Sequence, residues 1–321
     1  MNKNKPTDDI ELEPKKHRAK GMLYGLSIGD ALGKPTEFIS LKDIKDKYGK
    51  DGIQDLPAPA LYTDDTQMTL SIVKALLDSG EKDCELIMNS LRKEFSSWLY
   101  SDEWFAGGAG RTCTEGVKNL KKGIHWTKSG IVGSKGCGSA MRVLPVGYLY
   151  QNNPNKLREV AHASGICTHN HPTADAACIG AAYLVKLVLD GVEPVNLISN
   201  LLNFTEGISK EWDEAINKVE ECLDWSDEDK ALGYLGEGWI GEEAVALALY
   251  CFFKYQSDYK RVVVRAANTN GDSDSIACIA GGISGAYLGL KAIPQEWIQK
   301  IDNSDYIEYL AERLFEKKNR L

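Results

Sequence analysis

The chain has 321 residues, 43% of them hydrophobic and 26% charged, with a formal net charge of −8. That is enough apolar material for a large core, in proportions usual for a soluble globular protein. The acidic excess argues against nucleic acid or an anionic membrane surface as a general partner.

Residues 1–20 are rich in Lys, Asp and Glu and lack an apolar stretch, which predicts a flexible N-terminal extension rather than a leader or a membrane span. From Gly21 to Phe38, Gly25 and Gly29 stand four apart, a spacing for close helix packing, while Asp30 and Glu37 are acids that packing does not require. Thr63-Asp64-Asp65-Thr66 then opens a helical run with Met68, Ile72, Val73, Leu76 and Leu77 on one face. Gly-rich joints follow at 107–110 and 133–138. Cys167-Thr168-His169-Asn170-His171 admits a zinc reading with Cys178, but a helix starting at Pro172 carries Cys178 well inside its second turn, so zinc is disfavoured. Helices are predicted over 173–190, 242–255 and 306–317, and 261–265 (Arg-Val-Val-Val-Arg) reads equally as strand or helix. Last, Asp272-Ser273-Asp274-Ser275 precedes a small, apolar run over 276–290. The pattern predicts an all-α fold with one domain over 21–321. Eight cysteines without a C-x-x-C pair suit a reducing, cytoplasmic setting.

The two acidic clusters carry the chemistry. Their carboxylates and hydroxyls form a hard oxygen set without His or Cys, which suits Mg2+ or Mn2+. Each also stands where a helix N-cap belongs, but capping accounts for one acid per cluster and leaves the others over. A positive helix end helps to keep such acids ionised, as cation binding requires.

Six segments in order, GMLYGLSIGDALGKPTEF, YTDDTQMTL, GCGSAMRVLPVGYLY, THNHPTADAAC, GEGWIGEEAVALALYC and NTNGDSDSIACIAGGISGAYLG, resemble the ADP-ribosylglycohydrolase family. The resemblance implies an all-α orthogonal bundle, two bound Mg2+ ions with Mn2+ as an alternative, and removal of ADP-ribose from a modified protein, with arginine as the linkage. It puts metal ligands at Thr63, Asp64, Asp65, Asp272, Asp274 and Ser275. Glu37 matches a gating acid, and Asp65 or Asp274 would assist proton transfer at the sugar C1. Gly133, Ser134, Lys135, Gly136, Cys137 and Gly138 match a diphosphate loop, His169 the adenosine side, and Trp239 a cleft loop able to stack on a ring. Residues 107–113 depart from the family members that act on arginine, lacking their acid and Asn; Asp102 and Glu103 are the nearby candidates to substitute. An immunity protein against an ADP-ribosylating toxin is the alternative function, by hydrolysis and by occlusion through residues 1–20.

Overall fold

A computed structural model describes the backbone of residues 8–79 and 83–321 and side chains from residue 15 onward over the same range. The helices that frame the site are α1 (Asp8–Gly33), α2 (Asp64–Asp78), α3 (Arg111–Lys121), α4 (Leu144–Leu149), α5 (Pro172–Leu189), α6 (Tyr259–Ala267), α7 (Ser273–Leu288) and α8 (Ser304–Lys318). Among the described residues the only sheet is a parallel pair, β1 (Ile131–Val132) with β2 (His169–Asn170), in register Ile131 to His169 and Val132 to Asn170. The architecture is all-α.

Its spine is the antiparallel seam between α1 and α7. A Cβ on Gly25 would lie 2.3 Å from Gly281 O, one on Gly29 2.0 Å from Ala277 O, and one on Gly33 2.4 Å from Asp274 Cα. Only glycine permits backbones this close. The flanks of α1 are sealed by fully buried Met22, Leu23 and Leu26, each worth about 1.5–3 kcal/mol of apolar burial. The seam therefore fixes one functional fact: the C-terminal end of α1, with Asp30, lies against the N-terminal end of α7, with Asp272 and Asp274.

Two expectations change. The extension expected over 1–20 is shorter: α1 begins at Asp8, Ala19 is buried, and Lys20 pairs with Glu308 and Glu312 of α8. Burial and ion pairs make 16–20 part of the domain, whereas residues 1–7 and the side chains of 8–14 lie outside the described residues. The ambiguous run 261–265 is helical, within α6. Asp258 caps it by accepting from Arg261 N (3.1 Å), and Val262 and Val263 face the core. Tertiary burial of one helix face outweighs the strand propensity of three valines.

Candidate active site

The N-terminus of α2 is capped from two sides. Thr63 Oγ1 accepts from Asp65 N at 3.3 Å, while Asp30, reaching across from α1, accepts from Thr63 N (2.9 Å), Thr66 N (3.0 Å) and Thr66 Oγ1 (2.6 Å). The helix-end donors are thus met by Thr63 and Asp30. Asp64 and Asp65 are left without a capping duty, and both are buried against a cleft.

At the start of α7, Asp272 holds the N-cap position without a side-chain capping bond. Its Oδ2 accepts instead from the Cys137 thiol at 2.8 Å, and Asp274 Oδ1 accepts from Ser275 N at 3.0 Å. Glu37 comes in from the turn after α1. One carboxylate oxygen from each of Glu37, Asp272 and Asp274 falls within 4.8 Å of the others.

So many buried acids raise one another's pKa values. Burial, then Asp272, Asp64 and Asp30, pushes Glu37 up to about 8. Burial, then Asp30 and Asp272, pushes Asp64 up to about 7, and burial takes Asp30 up to about 6. Asp65 and Asp274 sit well above the usual carboxylate range, through burial first and neighbouring acids second. The Oδ2 of Asp65 is buried with no hydrogen-bond partner. An orphaned carboxylate oxygen within an all-oxygen donor set fits a hard divalent cation, which would supply the missing positive charge and hold the acids ionised. Asp64, Asp65, Asp272, Asp274, Ser275 and Glu37 are the groups that could hold it. Burial, then Asp272, pushes the Cys137 thiol up.

Facing the acids, Gly136, Cys137, Gly138, His169 and Trp239 present no charged side chain to the cleft, and Arg111 lines it beside them. The β1–β2 pair leads into the 133–138 loop, which is stitched to the 236–241 turn by Cys137 N to Trp239 O (3.1 Å) and Gly241 N to Lys135 O (2.9 Å). His169 lies against Gly136 and Gly138; a Cβ on Gly138 would sit 2.9 Å from its Cε1. Behind it, fully buried Arg142 donates from Nη2 to Thr168 Oγ1 (2.6 Å), and Thr168 Oγ1 is 2.9 Å from His169 Nδ1. A threonine hydroxyl that accepts from a guanidinium is a strengthened donor. Its contact to Nδ1 is also shorter than that to Gly165 O (3.3 Å). A Thr168 hydroxyl that donates to Nδ1 leaves the imidazole proton on Nε2. Burial, with Arg142 behind it, lowers the His169 pKa to about 3, so the ring is a neutral donor. At the mouth, Phe38 stacks on Trp239 with centroids 5.1 Å apart at 22°. Phe38 holds a left-handed backbone (φ 63°) while 71% exposed, a strained conformation at the edge of a cleft of about 270 Å3.

The cleft brings together Glu37, Asp64, Asp65, Asp272, Asp274, Ser275, Gly136, Cys137, Gly138, His169 and Trp239. Thr63 caps α2 and does not itself line the cleft. Gly133, Ser134 and Lys135 do not line the cleft: Gly133 N bonds Asn170 O, Ser134 Oγ meets Thr112 Oγ1 at 2.9 Å, and Lys135 pairs with Glu211 and Glu242 at 2.7 Å each. Nor do Asp102 and Glu103, which are exposed in the first turn of a separate short helix. His171 caps α5 by accepting from Thr173 N (3.1 Å), and the Cys167 and Cys178 thiols donate to backbone carbonyls. The positioning roles of Asp30, Arg142 and Thr168 and the stacking role of Phe38 were not assigned from sequence. A lone Arg in the apolar run Ala140–Val146 was the available signal for Arg142.

Fold and site define the class: an all-α protein with an acid-lined cleft. The sequence matches the ADP-ribosylglycohydrolase family over residues 11–320, and the chain belongs to that family. It is 29% identical over 292 residues to the ADP-ribosyl-[dinitrogen reductase] glycohydrolase of Rhodospirillum rubrum, covering 89% of this chain and 90% of the relative. It is 27% identical over 305 residues to the ADP-ribosylarginine hydrolase Tri1 of Pseudomonas putida, covering 94% and 78%. A solved structure titled ADP-ribosylglycohydrolase-related protein complex superposes with a TM-score of 0.72 at 25% identity, covering 95% of this chain and 99% of that one.

Proposed function

We propose that this protein removes ADP-ribose from ADP-ribosylated protein, that arginine is the linkage, and that two divalent cations, Mg2+ by preference, assist at the acid cluster. The observation that carries the reading is Asp65 Oδ2, buried, acidic and unpartnered beside Asp64, Asp272 and Asp274. Bound cations would polarise ribose hydroxyls and the attacking water. Asp65 and Asp274 line the cleft, where one can take a proton from the water attacking the anomeric carbon and return it to the leaving acceptor nitrogen. The surrounding negative charge favours the oxocarbenium-like transition state of glycosidic cleavage. Gly136 and Gly138 leave room for a bulky polar ligand, His169 Nε2–H offers it a neutral hydrogen bond, and the Phe38–Trp239 pair offers an aromatic face. The relatives named for ADP-ribosylarginine and for dinitrogen reductase support a protein acceptor and the arginine linkage. We place the activity in the cytoplasm, where eight buried free thiols stay reduced. Protection against an ADP-ribosylating toxin would be a use of the same hydrolysis.

The test is release of free ADP-ribose from an arginine-ADP-ribosylated protein, with Mg2+, with chelator, and with Asp64→Ala. Release that needs the metal and is lost in the variant establishes the activity. No release by the intact protein rejects the arginine linkage, and release undiminished in chelator rejects the cation.

A further inference from the structure

A second cavity, of about 350 Å3, opens between α1, the end of α4 and α8, where Lys15, Arg18, Tyr148, Gln151, Phe315 and Lys318 line it. It shares no lining residue with the cleft. Its charge is positive in a chain whose net charge is −8. Among the described residues no carboxylate pairs with Lys15, Arg18 or Lys318. Arg18 donates to Leu189 O at 3.1 Å, and Lys318 donates to Gln151 Oε1 with its ammonium 4.1 Å from the Tyr148 ring centroid. Asp190, the described acid that acts on Lys318, is already held by Lys186 and by Gln151 Nε2 (2.6 Å). Burial, with Lys15 and Arg18 alongside, pushes Lys318 down to about 8 against the pull of Asp190.

Crowding like charges around a partly dehydrated lysine destabilises the fold, and an anion seated between them reverses that cost. Phosphate groups suit the site because they carry up to two charges each and several strong acceptor oxygens for ammonium, guanidinium and the neighbouring amides. The volume sits near the lower end of small-molecule sites, roughly 300–1,000 Å3. Residues 1–7 carry Lys3 and Lys5 and no acid, and the side chains of Asp8, Asp9, Glu11 and Glu13 at the start of α1 lie outside the described residues. We propose that this cavity is a second ligand site, separate from the cleft, that binds a diphosphate, either free or carried on a nucleoside.

The experiment is calorimetric titration of the full chain in chelator with inorganic pyrophosphate and, separately, with ADP. Wild type, Lys318→Met, Arg18→Met and Trp239→Ala are compared, each first checked for a single cooperative melting transition. Expected are saturable binding by wild type and Trp239→Ala, a loss of at least tenfold in affinity in Lys318→Met or Arg18→Met, and an unchanged hydrolytic rate in those two. Tighter binding of ADP than of pyrophosphate would assign the nucleoside-linked form; equal binding would assign the diphosphate alone. No saturable binding of either probe overturns the proposal. So does binding that survives both cation substitutions and disappears with Trp239→Ala, which would put the ligand in the cleft.

Discussion

The two walls of the cleft solve opposite problems. The acid wall is made from ends of regular helices, fixed by the glycine seam of α1 with α7, and it concentrates negative charge that the protein alone does not balance. The loop wall is made from irregular backbone held by cross-links, and its one titratable ring is kept neutral by burial and by Arg142. The difference separates chemistry from recognition. Charge is gathered where a sugar bond would break, and neutral donors and aromatic faces are gathered where the rest of the ligand would lie.

Substitutions on the acid wall should therefore act on turnover, and those on the loop wall on binding. Asp65→Asn should lower kcat by roughly 10^3-fold. Its melting temperature in chelator should hold or rise, because a repelling buried charge is gone; a fall of several degrees would show that Asp65 serves the fold instead. Asp30→Asn should weaken cation affinity or activity by about 10–100-fold through the misplaced start of α2. It should also cost about 1 kcal/mol of stability through the lost cap. Both are readable from cation titrations and denaturant melts, and unchanged cation affinity would break the link from Asp30 to Asp64 and Asp65.

On the loop wall, Thr168→Val should raise KM by about 2–10-fold, the worth of one hydrogen bond, with kcat nearly unchanged and recovery in Thr168→Ser. The nitrogen chemical shifts of His169 should report the Nε2–H form in wild type and a mixed population in Thr168→Val. An equal loss in kcat would move His169 into the chemistry.

A further effect is expected on thermal stability. Asp30, Asp64 and Glu37 have folded pKa values raised to about 6, 7 and 8, so between about pH 4 and pH 8 the folded state holds more protons than the unfolded chain. Stability in chelator should then fall as pH rises through that window, and saturating Mg2+ should flatten the fall by taking the place of the protons. A melting temperature independent of pH in chelator would contradict the crowded acid wall.

Local sequence carries what depends on local chemistry. Thr63-Asp64-Asp65 and Asp272-Ser273-Asp274-Ser275 marked two oxygen-rich helix starts, and Gly25 and Gly29 marked a close helix contact, because cap preference and side-chain size are read from neighbours in the chain. Tertiary structure decided which candidates point where. Gly133, Ser134 and Lys135 were indistinguishable in sequence from Gly136, Cys137 and Gly138, yet the β1–β2 pair and the ties to Lys135 O and Trp239 O turn only the second half of the loop to the cleft. Asp30 could be recognised as a surplus acid, but its role as the cap of α2 depends on a bond between residues 33 and 36 positions apart. The ligand types were thus fixed by composition at short range. The pooled charge, the neutral His169 and the free Asp65 oxygen arise only when distant segments share one low-dielectric space, where each group's state depends on the others around it.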